Sequence, residues 1–207
     1  MRQEHYQQWE PGQRPMIDAW VRWIQQVGEQ APSGGVAVVD VGRVDFATMR
    51  EVQAAVVEAR RADPQRWRDV VLLLEHPPVF TVSRRSKPTN LLWDEAERAA
   101  RGVALEPVDR GGDVTFHGPG QLVGYPLLDL NRSGRTSSSG YVFQLESMIL
   151  AVLAEVGIEA TRRTGMTGVW VPRRETAAAA PDLDPSAGAV ADDGSGFLGK
   201  ICAIGVR

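Results

Sequence analysis

The sequence predicts an α/β (α+β) protein in which a mixed sheet is flanked by helices. Short apolar segments rich in valine, leucine and isoleucine alternate along the chain with segments whose apolar residues recur at helical spacing. The chain has 207 residues, of which 43% are hydrophobic, so it is long enough to bury a real core. No internal repeat is visible, which excludes a solenoid.

The first 34 residues predict an extension that contains an amphipathic helix. Pro15 is suited to open this helix and Gly28 to close it. The apolar residues that share one helical face are Ile17, Trp20, Val21, Ile24 and Val27. We expect the helix to dock on its own domain; a partner-binding or membrane-surface helix is the alternative.

The domain proper, residues 35–207, begins with strands and helices in alternation. We expect strands at 36–41, 69–75 and 80–82, and a helix over 46–62. The continuous apolar run in 69–75 is typical of a strand buried on both faces. A short helix over 93–101 should end at Gly102.

The second half continues the alternation. Strands are expected at 103–109, 121–128, 158–161, 168–171 and 199–206, and a helix capped by one of Ser137–Ser139 should run to Gly157. Its apolar positions are Tyr141, Leu145, Met148, Ile149, Val152 and Val156. Residues 173–198 contain a run of alanines followed by Asp, Pro, Ser and Gly, a composition that favours a flexible loop.

Charge and composition exclude several classes of function. The formal net charge is 23 − 26 = −3, so no overall basic field attracts nucleic acid. No uncharged apolar run approaches the roughly 20 residues that a membrane span needs. The single cysteine excludes an internal disulfide, and the scattered histidines lack zinc spacing. We therefore predict a cytoplasmic protein with no membrane segment, no metal ion and no cofactor.

Residues 110–121, RGGDVTFHGPGQ, form the most unusual segment of the sequence. Four glycines there permit positive φ and let a ligand approach the backbone closely, and exposed amides in such loops bind anions or oxyanions. Arg110 can pair with an anion, and His117 can exchange protons near neutral pH. The alternative is a pair of tight turns with His117 in a structural role. No nucleotide-binding glycine motif is present.

Two further positions carry possible chemistry. On a strand, Lys200 and Cys202 share a face roughly 6–7 Å apart, and an ammonium group there would lower the pKa of the thiol. The alternative is a small buried cysteine beside a solvent-reaching lysine. His76 stands at a strand end before two prolines, where it either lines a site or closes a turn.

Three segments together resemble the lipoate biosynthesis octanoyltransferase family: EHPPVFT at 75–81, RGGDVTFHGPGQLVGYPLLDL at 110–130 and GKICAIGVR at 199–207. Their order and spacing agree with that family over roughly residues 36–207. The resemblance implies the fold of the catalytic domain of biotin and lipoate protein ligases. It also implies transfer of an octanoyl group from octanoyl-acyl carrier protein to a lysine of lipoyl domains, in 2-oxoacid dehydrogenase complexes and the glycine cleavage system.

The resemblance also assigns roles to residues. It places the first acyl-substrate-binding segment at Arg110, Gly111, Gly112, Asp113, Val114, Thr115, Phe116 and His117, and the second at Ala203, Ile204 and Gly205. Lys200 matches the lysine that lowers the pKa of the nucleophilic cysteine. That cysteine is expected beyond Arg207, in a Pro-Cys-Gly context, together with a third substrate-binding segment. Ser83 stands where the family usually has glycine.

This resemblance therefore implies a chain that lacks its nucleophile as given. Three other interpretations remain open from the residues. Cys202 with Lys200 can serve as the catalytic dyad, the chain can be a non-catalytic module that binds acyl chains or carrier proteins, or it can be an enzyme similar to lipoate and biotin ligases that uses ATP.

Overall fold

The computed structural model describes residues 14–32, 34–130, 137–172 and 198–206. They fall in two compact units, residues 1–130 and residues 131–207. The first contains α1 (Arg14–Glu29), β1 (Val36–Arg43), α2 (Phe46–Ala62), β2 (Asp69–Glu75), β3 (Val79–Ser83), α3 (Glu95–Ala100), β4 (Ala104–Val108), β5 (Thr115–His117) and β6 (Val123–Leu127). The second contains α4 (Ser138–Glu155), β7 (Thr161–Arg163), β8 (Met166–Pro172) and β9 (Leu198–Cys202).

Parallel and antiparallel pairings are mixed in the first unit. In the sheet β1-β2-β6, β2 pairs in parallel with β1 and antiparallel with β6. In the sheet β4-β3-β5, β3 pairs in parallel with β4 and antiparallel with β5. The second unit has an antiparallel sheet, β7-β8-β9. The predicted class, α/β with mixed sheets and flanking helices, is confirmed.

The core of the first unit lies between α1, α2 and the sheet β1-β2-β6. Its fully buried side chains include Ile17, Ile24, Met49, Val52, Val56, Val70 and Leu72. Ile17 and Ile24 come from the apolar face predicted for α1, and through them this helix packs into the core of the first unit. Burying each such side chain contributes about 1.5–3 kcal/mol relative to leaving it in water.

The burial of β2 differs from the sequence expectation. Val70, Leu72 and Leu74 are buried, whereas the alternating residues Val71 and Leu73 are only half-buried. One face of β2 packs against the helical layer and the other is less covered within this unit. The continuous apolar run therefore did not reveal the difference between its two faces.

Capping explains several helix ends. The Asp45 side chain accepts a hydrogen bond from the Thr48 amide and starts α2 at the predicted residue. Asp94 and Glu97 form a capping box, so α3 begins at Glu95 rather than at Trp93. Gly102 follows α3 with a φ of 64°, and the Val103 amide donates to the Arg98 carbonyl, which confirms the predicted end.

In the second unit, α4 begins after the capping residue Ser137, as predicted. Several of its expected core positions are instead exposed: Met148 at 53%, Val152 at 55% and Val156 at 66%. The buried residue of this helix is instead Glu146. Helical spacing identified the apolar residues but did not show which of them are covered. Most of the predicted loop at 173–198 lies outside the described residues, and Leu198 begins β9.

In the described part of the chain, no helix combines the length and the apolar character that crossing a membrane requires.

Candidate functional site

The glycine-rich segment joins β4, β5 and β6 in the first unit. Its middle forms β5, which pairs with β3 and comprises Thr115, Phe116 and His117. Gly112 and Gly120 use the positive φ that the sequence suggested, at 93° and 83°. Gly118 is needed for a different reason, because an added Cβ would lie 2.9 Å from the Phe116 ring.

The Arg110 side chain links the strands next to this segment through hydrogen bonds. Its guanidinium donates hydrogen bonds to the Thr81 hydroxyl at 2.7 Å and to the Thr115 hydroxyl at 2.8 Å. It also donates to the carbonyl oxygens of Thr81 and Gly111. Burial lowers the pKa of Arg110, although the charge of Asp113 opposes that shift. These hydrogen bonds thus join β3 to β5, and they place the positive charge of Arg110 next to the glycine-rich segment.

Ser83, which sequence reasoning noted only as a departure from the resemblance, fixes the glycine turn. Its hydroxyl donates to the Gly112 carbonyl at 2.6 Å, and the Asn90 amide donates to the Asp113 carboxylate. Although burial acts to raise the pKa of Asp113, hydrogen bonds from Asn90 and Ser86 outweigh it and lower the pKa. Val114 connects this turn to β5 without regular structure of its own.

His76 is buried, and its ring forms hydrogen bonds to a backbone carbonyl and to a side-chain hydroxyl. It neither closes an exposed turn nor faces solvent. Its exposed fraction is 0%. Nδ1 lies 2.5 Å from the Val44 carbonyl oxygen, which can only accept, so Nδ1 carries the hydrogen. Nε2 is then an acceptor, and the Tyr125 hydroxyl donates to it at 2.8 Å. No sequence pattern pointed to Tyr125.

Burial keeps this pair uncharged. It lowers the pKa of His76, although the Val44 carbonyl and Asp45 act in the opposite direction. It also raises the pKa of Tyr125 far above its ordinary value, with the charge of Arg110 opposing the shift. The hydroxyl therefore remains a donor and the imidazole remains neutral at neutral pH.

His117 lies against His76. Their ring centroids are 5.8 Å apart in an edge-on arrangement, and Phe46 contacts both rings. Nδ1 of His117 donates to the Gln121 side-chain oxygen at 2.7 Å, which leaves Nε2 as an acceptor. Burial lowers the pKa of His117; the hydrogen bond to Gln121 opposes this shift, and the positive charge of Arg110 adds to it.

Glu75 ties the second glycine turn to the neighbouring sheet. Its carboxylate accepts from the Gly120 amide and from Arg43, each at 3.1 Å. The Gly120 amide is the largest cause that lowers the pKa of this carboxyl group, followed by Arg43. An open groove of about 540 Å³ begins at this ion pair, and its lining includes Asp40, Gly42, Leu73, Leu74 and Leu122.

Lys200 lies in the second unit, on β9 directly opposite Trp170 of β8. Its ammonium donates a hydrogen bond to the Thr167 carbonyl at 2.8 Å and stands 4.7 Å from the centroid of the Trp170 ring. Burial lowers the pKa of Lys200, whereas the negative charges of Cys202 and Glu146 act to raise it. The ammonium is thus held by a carbonyl and an aromatic face.

Cys202 does not have the environment of a low-pKa thiol. Burial raises the pKa of Cys202; Lys200 opposes this shift, and Glu146 adds to it. The ladder pairs Lys200 with Trp170 and Cys202 with Val169, so Ile201 is an extra residue at a bulge. The strand alternation that predicted a shared face for Lys200 and Cys202 is interrupted at this point.

The remaining predicted residues follow β9. Ala203, Ile204 and Gly205 have no regular secondary structure. They belong, with Lys200, to the second unit, whereas the predicted residues from Arg110 to His117 belong to the first. The structure brings the members of each group together within one unit.

Comparison with known proteins identifies the family of this chain. Residues 45–207 match the family described as lipoyl protein ligase A/B catalytic domain. An octanoyltransferase of Acidobacterium capsulatum is 43% identical over 139 residues, covering 64% of this chain and 56% of the relative. An octanoyltransferase of Chloroflexus aggregans is 37% identical over 172 residues, covering 83% of this chain and 66% of the relative.

A solved structure of a bipartite lipoate protein ligase and its E2 lipoyl domain from Thermoplasma acidophilum was also matched. It is 16% identical with a TM-score of 0.45, and the match covers 65% of this chain and 50% of that one.

The chain belongs to the lipoyl protein ligase A/B catalytic domain family. Its similarity to octanoyltransferases confirms the resemblance drawn from the three sequence segments. The chain spans between about half and two thirds of the length of the first curated relatives it matches.

Proposed function

We propose that this protein is a cytoplasmic octanoyltransferase of lipoate biosynthesis. It moves an octanoyl group from octanoyl-acyl carrier protein to a lysine of lipoyl domains, without ATP. The observation that carries the proposal is the similarity to octanoyltransferases, together with the family match over residues 45–207, which include both the 110–117 turn and Lys200. The two segments also have suitable chemistry, since one presents a glycine-rich turn and the other an ammonium held by a carbonyl and an aromatic ring.

Two acyl transfers account for the reaction. A cysteine thiolate attacks the carbonyl carbon of the donor thioester, and the carrier protein's thiolate leaves and takes up a proton. The neutral amine of the target lysine then attacks the enzyme thioester and forms an amide. The enzyme thiolate is released, and the amine gives up a proton. Each attack develops an oxyanion on the acyl oxygen.

The first unit supplies the binding surface in this proposal. The turn from Arg110 to His117 lies along the acyl group, with the positive φ of Gly112 allowing close approach of the backbone. Amide donors directed at the developing oxyanion typically contribute about 10²–10³ in rate each. His117, with Nε2 free to accept, is suited to the edge of the site, where the target amine loses its proton.

In this proposal the second unit supplies the positive charge that stabilises the nucleophile. Lys200 stabilises the thiolate of the nucleophilic cysteine through its ammonium charge. Ala203, Ile204 and Gly205, in the same unit, correspond to the second acyl-binding segment of the family. We propose that the nucleophile is the cysteine of a Pro-Cys-Gly segment and that Cys202 is not the nucleophile. The raised pKa of Cys202 and the bulge at Ile201 support this assignment.

A donor comparison tests the proposal. The protein, expressed from its own gene to the natural stop codon, is incubated with a lipoyl domain and octanoyl-acyl carrier protein, and the lipoyl domain is weighed by intact mass spectrometry. We expect an octanoyl adduct on one lysine in the absence of ATP. Adduct formation only from free octanoate or lipoate with ATP would indicate a ligase instead. Saturable binding of the carrier protein without any adduct would indicate a binding module.

A further inference from the structure

Lys200 is surrounded in its own unit by groups that no sequence motif assigned. The Thr167 carbonyl accepts its hydrogen bond at 2.8 Å, and the Trp170 ring lies 4.7 Å from the ammonium. Trp170 is only 3% exposed, so its face is a fixed surface. A cation over a tryptophan face gains about 0.5–2 kcal/mol, depending on how far it is removed from water.

Gly168 provides the space through which the Lys200 stem passes. A Cβ at this position would lie 3.4 Å from Cε of Lys200 and 2.4 Å from the carbonyl oxygen of Cys202. The φ of Gly168 is 119°, a conformation that residues with side chains rarely adopt. The backbone at Gly168 therefore sets how closely β8 and the Lys200 side chain approach each other.

Glu146 fixes that backbone from α4. Its Oε1 accepts the Gly168 amide at 2.8 Å, and its Oε2 accepts from Nε of Arg162 at 3.1 Å. The residue is 7% exposed, so its carboxylate acts in a region of low effective dielectric. The same carboxylate that orients Gly168 thus places a negative charge near Lys200.

We propose that Glu146 and Trp170 are positioning residues for Lys200. Glu146 fixes the backbone at Gly168 and supplies a negative charge, and Trp170 supplies the ring face that the ammonium contacts. Together they hold the Lys200 side chain as an oriented ammonium. The inference rests on the proposed function, because it concerns the lysine that assists acyl transfer. Neither residue needs to touch the acyl group. Their effect is exerted through the orientation and charge of Lys200.

Several charged groups determine the titration of Lys200. Burial lowers the pKa of Lys200, and the charges of Cys202 on β9 and Glu146 on α4 raise it. Arg162 pairs with Glu146, and Arg163 of β7 stands 5.7 Å from the same Trp170 ring. Replacing Glu146 by glutamine removes the negative charge but keeps an oxygen for the Gly168 amide. The pKa of Lys200 should then fall.

The sequence allows a direct measurement of this effect. Lys200 and Lys87 are its two lysines. In protein labelled with ¹³C-lysine, the side-chain Cε signal that Lys200→Arg removes belongs to Lys200, and Lys87→Arg should leave that signal in place. Titration by NMR should show the midpoint for Lys200 lower by about one pH unit in Glu146→Gln. Glu155→Gln, on the exposed end of the same helix, is the matched control and should leave that midpoint unchanged.

Trp170→Phe gives an independent measurement should Glu146→Gln fold poorly. Phenylalanine presents a weaker and smaller face, so the Lys200 midpoint should again fall, by less than in Glu146→Gln. An unchanged Lys200 midpoint in a folded Glu146→Gln or Trp170→Phe protein would overturn the proposal for that residue.

Kinetics connect the inference to catalysis. In the transfer assay, Glu146→Gln should move the alkaline limb of the pH–kcat profile to lower pH, because the ammonium is lost earlier, while the KM for octanoyl-acyl carrier protein stays within about twofold. A profile that falls uniformly at all pH values would indicate a structural role only and contradict the inference. Absence of transfer in the wild type, combined with a shifted Lys200 midpoint in Glu146→Gln, would refute the proposed function but not the arrangement of charges.

Discussion

The Tyr125 hydroxyl donates to Nε2 of His76 across 2.8 Å, and the second nitrogen of the same ring donates to the Val44 carbonyl. Both polar atoms of the buried imidazole are therefore satisfied. Tyr125 belongs to β6 and His76 follows β2, so this hydrogen bond connects neighbouring strands of one sheet beside the predicted substrate segment.

Removing the hydroxyl in Tyr125→Phe should destabilise the first unit. Nε2 of His76 would lose its donor within the protein interior, and an unsatisfied buried acceptor costs about 1–3 kcal/mol. Urea denaturation followed by tryptophan fluorescence measures the change. Phe116→Leu, a substitution of similar size at a side chain that is 42% exposed, is the control and should cost clearly less. Equal stability of Tyr125→Phe and wild type would refute the assigned hydrogen bond.

Protein stability should depend on pH in the range where histidines titrate. His76 and His117 both have a pKa below the ordinary 6.5 when folded. The unfolded chain then binds more protons below about pH 6.5, so the free energy of unfolding falls as pH falls through that region. The carboxyl groups of lowered pKa, Asp45, Glu75 and Asp113, lose their contribution only at lower pH, near or below their ordinary values of 3.8 to 4.5.

Denaturation midpoints at about pH 7.5, 6.5 and 5.5 test this dependence. His117→Gln should flatten the profile, because one of the two imidazoles with a lowered pKa is then absent. A wild-type profile that is flat across this range would contradict the neutral state assigned to the two buried imidazoles.

Gly112→Ala should weaken both the fold and the site. The φ of 93° costs a residue with a side chain about 1–3 kcal/mol, and the added Cβ would lie 3.1 Å from the Arg110 guanidinium. Thermal unfolding and the octanoyl-transfer rate are the two measurements. Gly199→Ala is the control, since that glycine has a negative φ and no atom within 4 Å of the added Cβ. Similar losses of stability and rate in the two variants would show that a side chain at the φ of Gly112 causes no strain.

The regular elements of the first unit were largely predictable. The bounds of α2 and β2 agree with the sequence expectation because Asp45 provides a local cap and because the apolar run of β2 ends in charged residues. The strand expected at 158–161 begins instead at Thr161. The Ile158 amide donates to the Leu153 carbonyl in a Schellman motif at Gly157, so the end of α4 takes up the residues assigned to the strand.

The site was predictable only where glycines and charges are clustered in sequence. The turn from Arg110 to His117 was selected by its clustered glycines and by the resemblance, and Lys200 by its place beside Cys202 and by the resemblance; the roles of both stay predictions. Tyr125 and Glu146 were not, because each acts through one long-range hydrogen bond that no periodicity or motif reveals. Ser83 was noticed as a departure from the resemblance, and only its hydrogen bond to the Gly112 carbonyl gives it a structural role.

The most direct test of the account is the rate of ATP-independent octanoyl transfer from octanoyl-acyl carrier protein to a lipoyl domain, measured for the naturally terminated protein and for its two lysine variants. We expect Lys87→Ala to keep the wild-type rate within about twofold and Lys200→Ala to lower it by about 10²-fold or more, because the nucleophilic thiolate loses its stabilising charge. Transfer that requires ATP, or equal rates in Lys200→Ala and Lys87→Ala, would contradict the account.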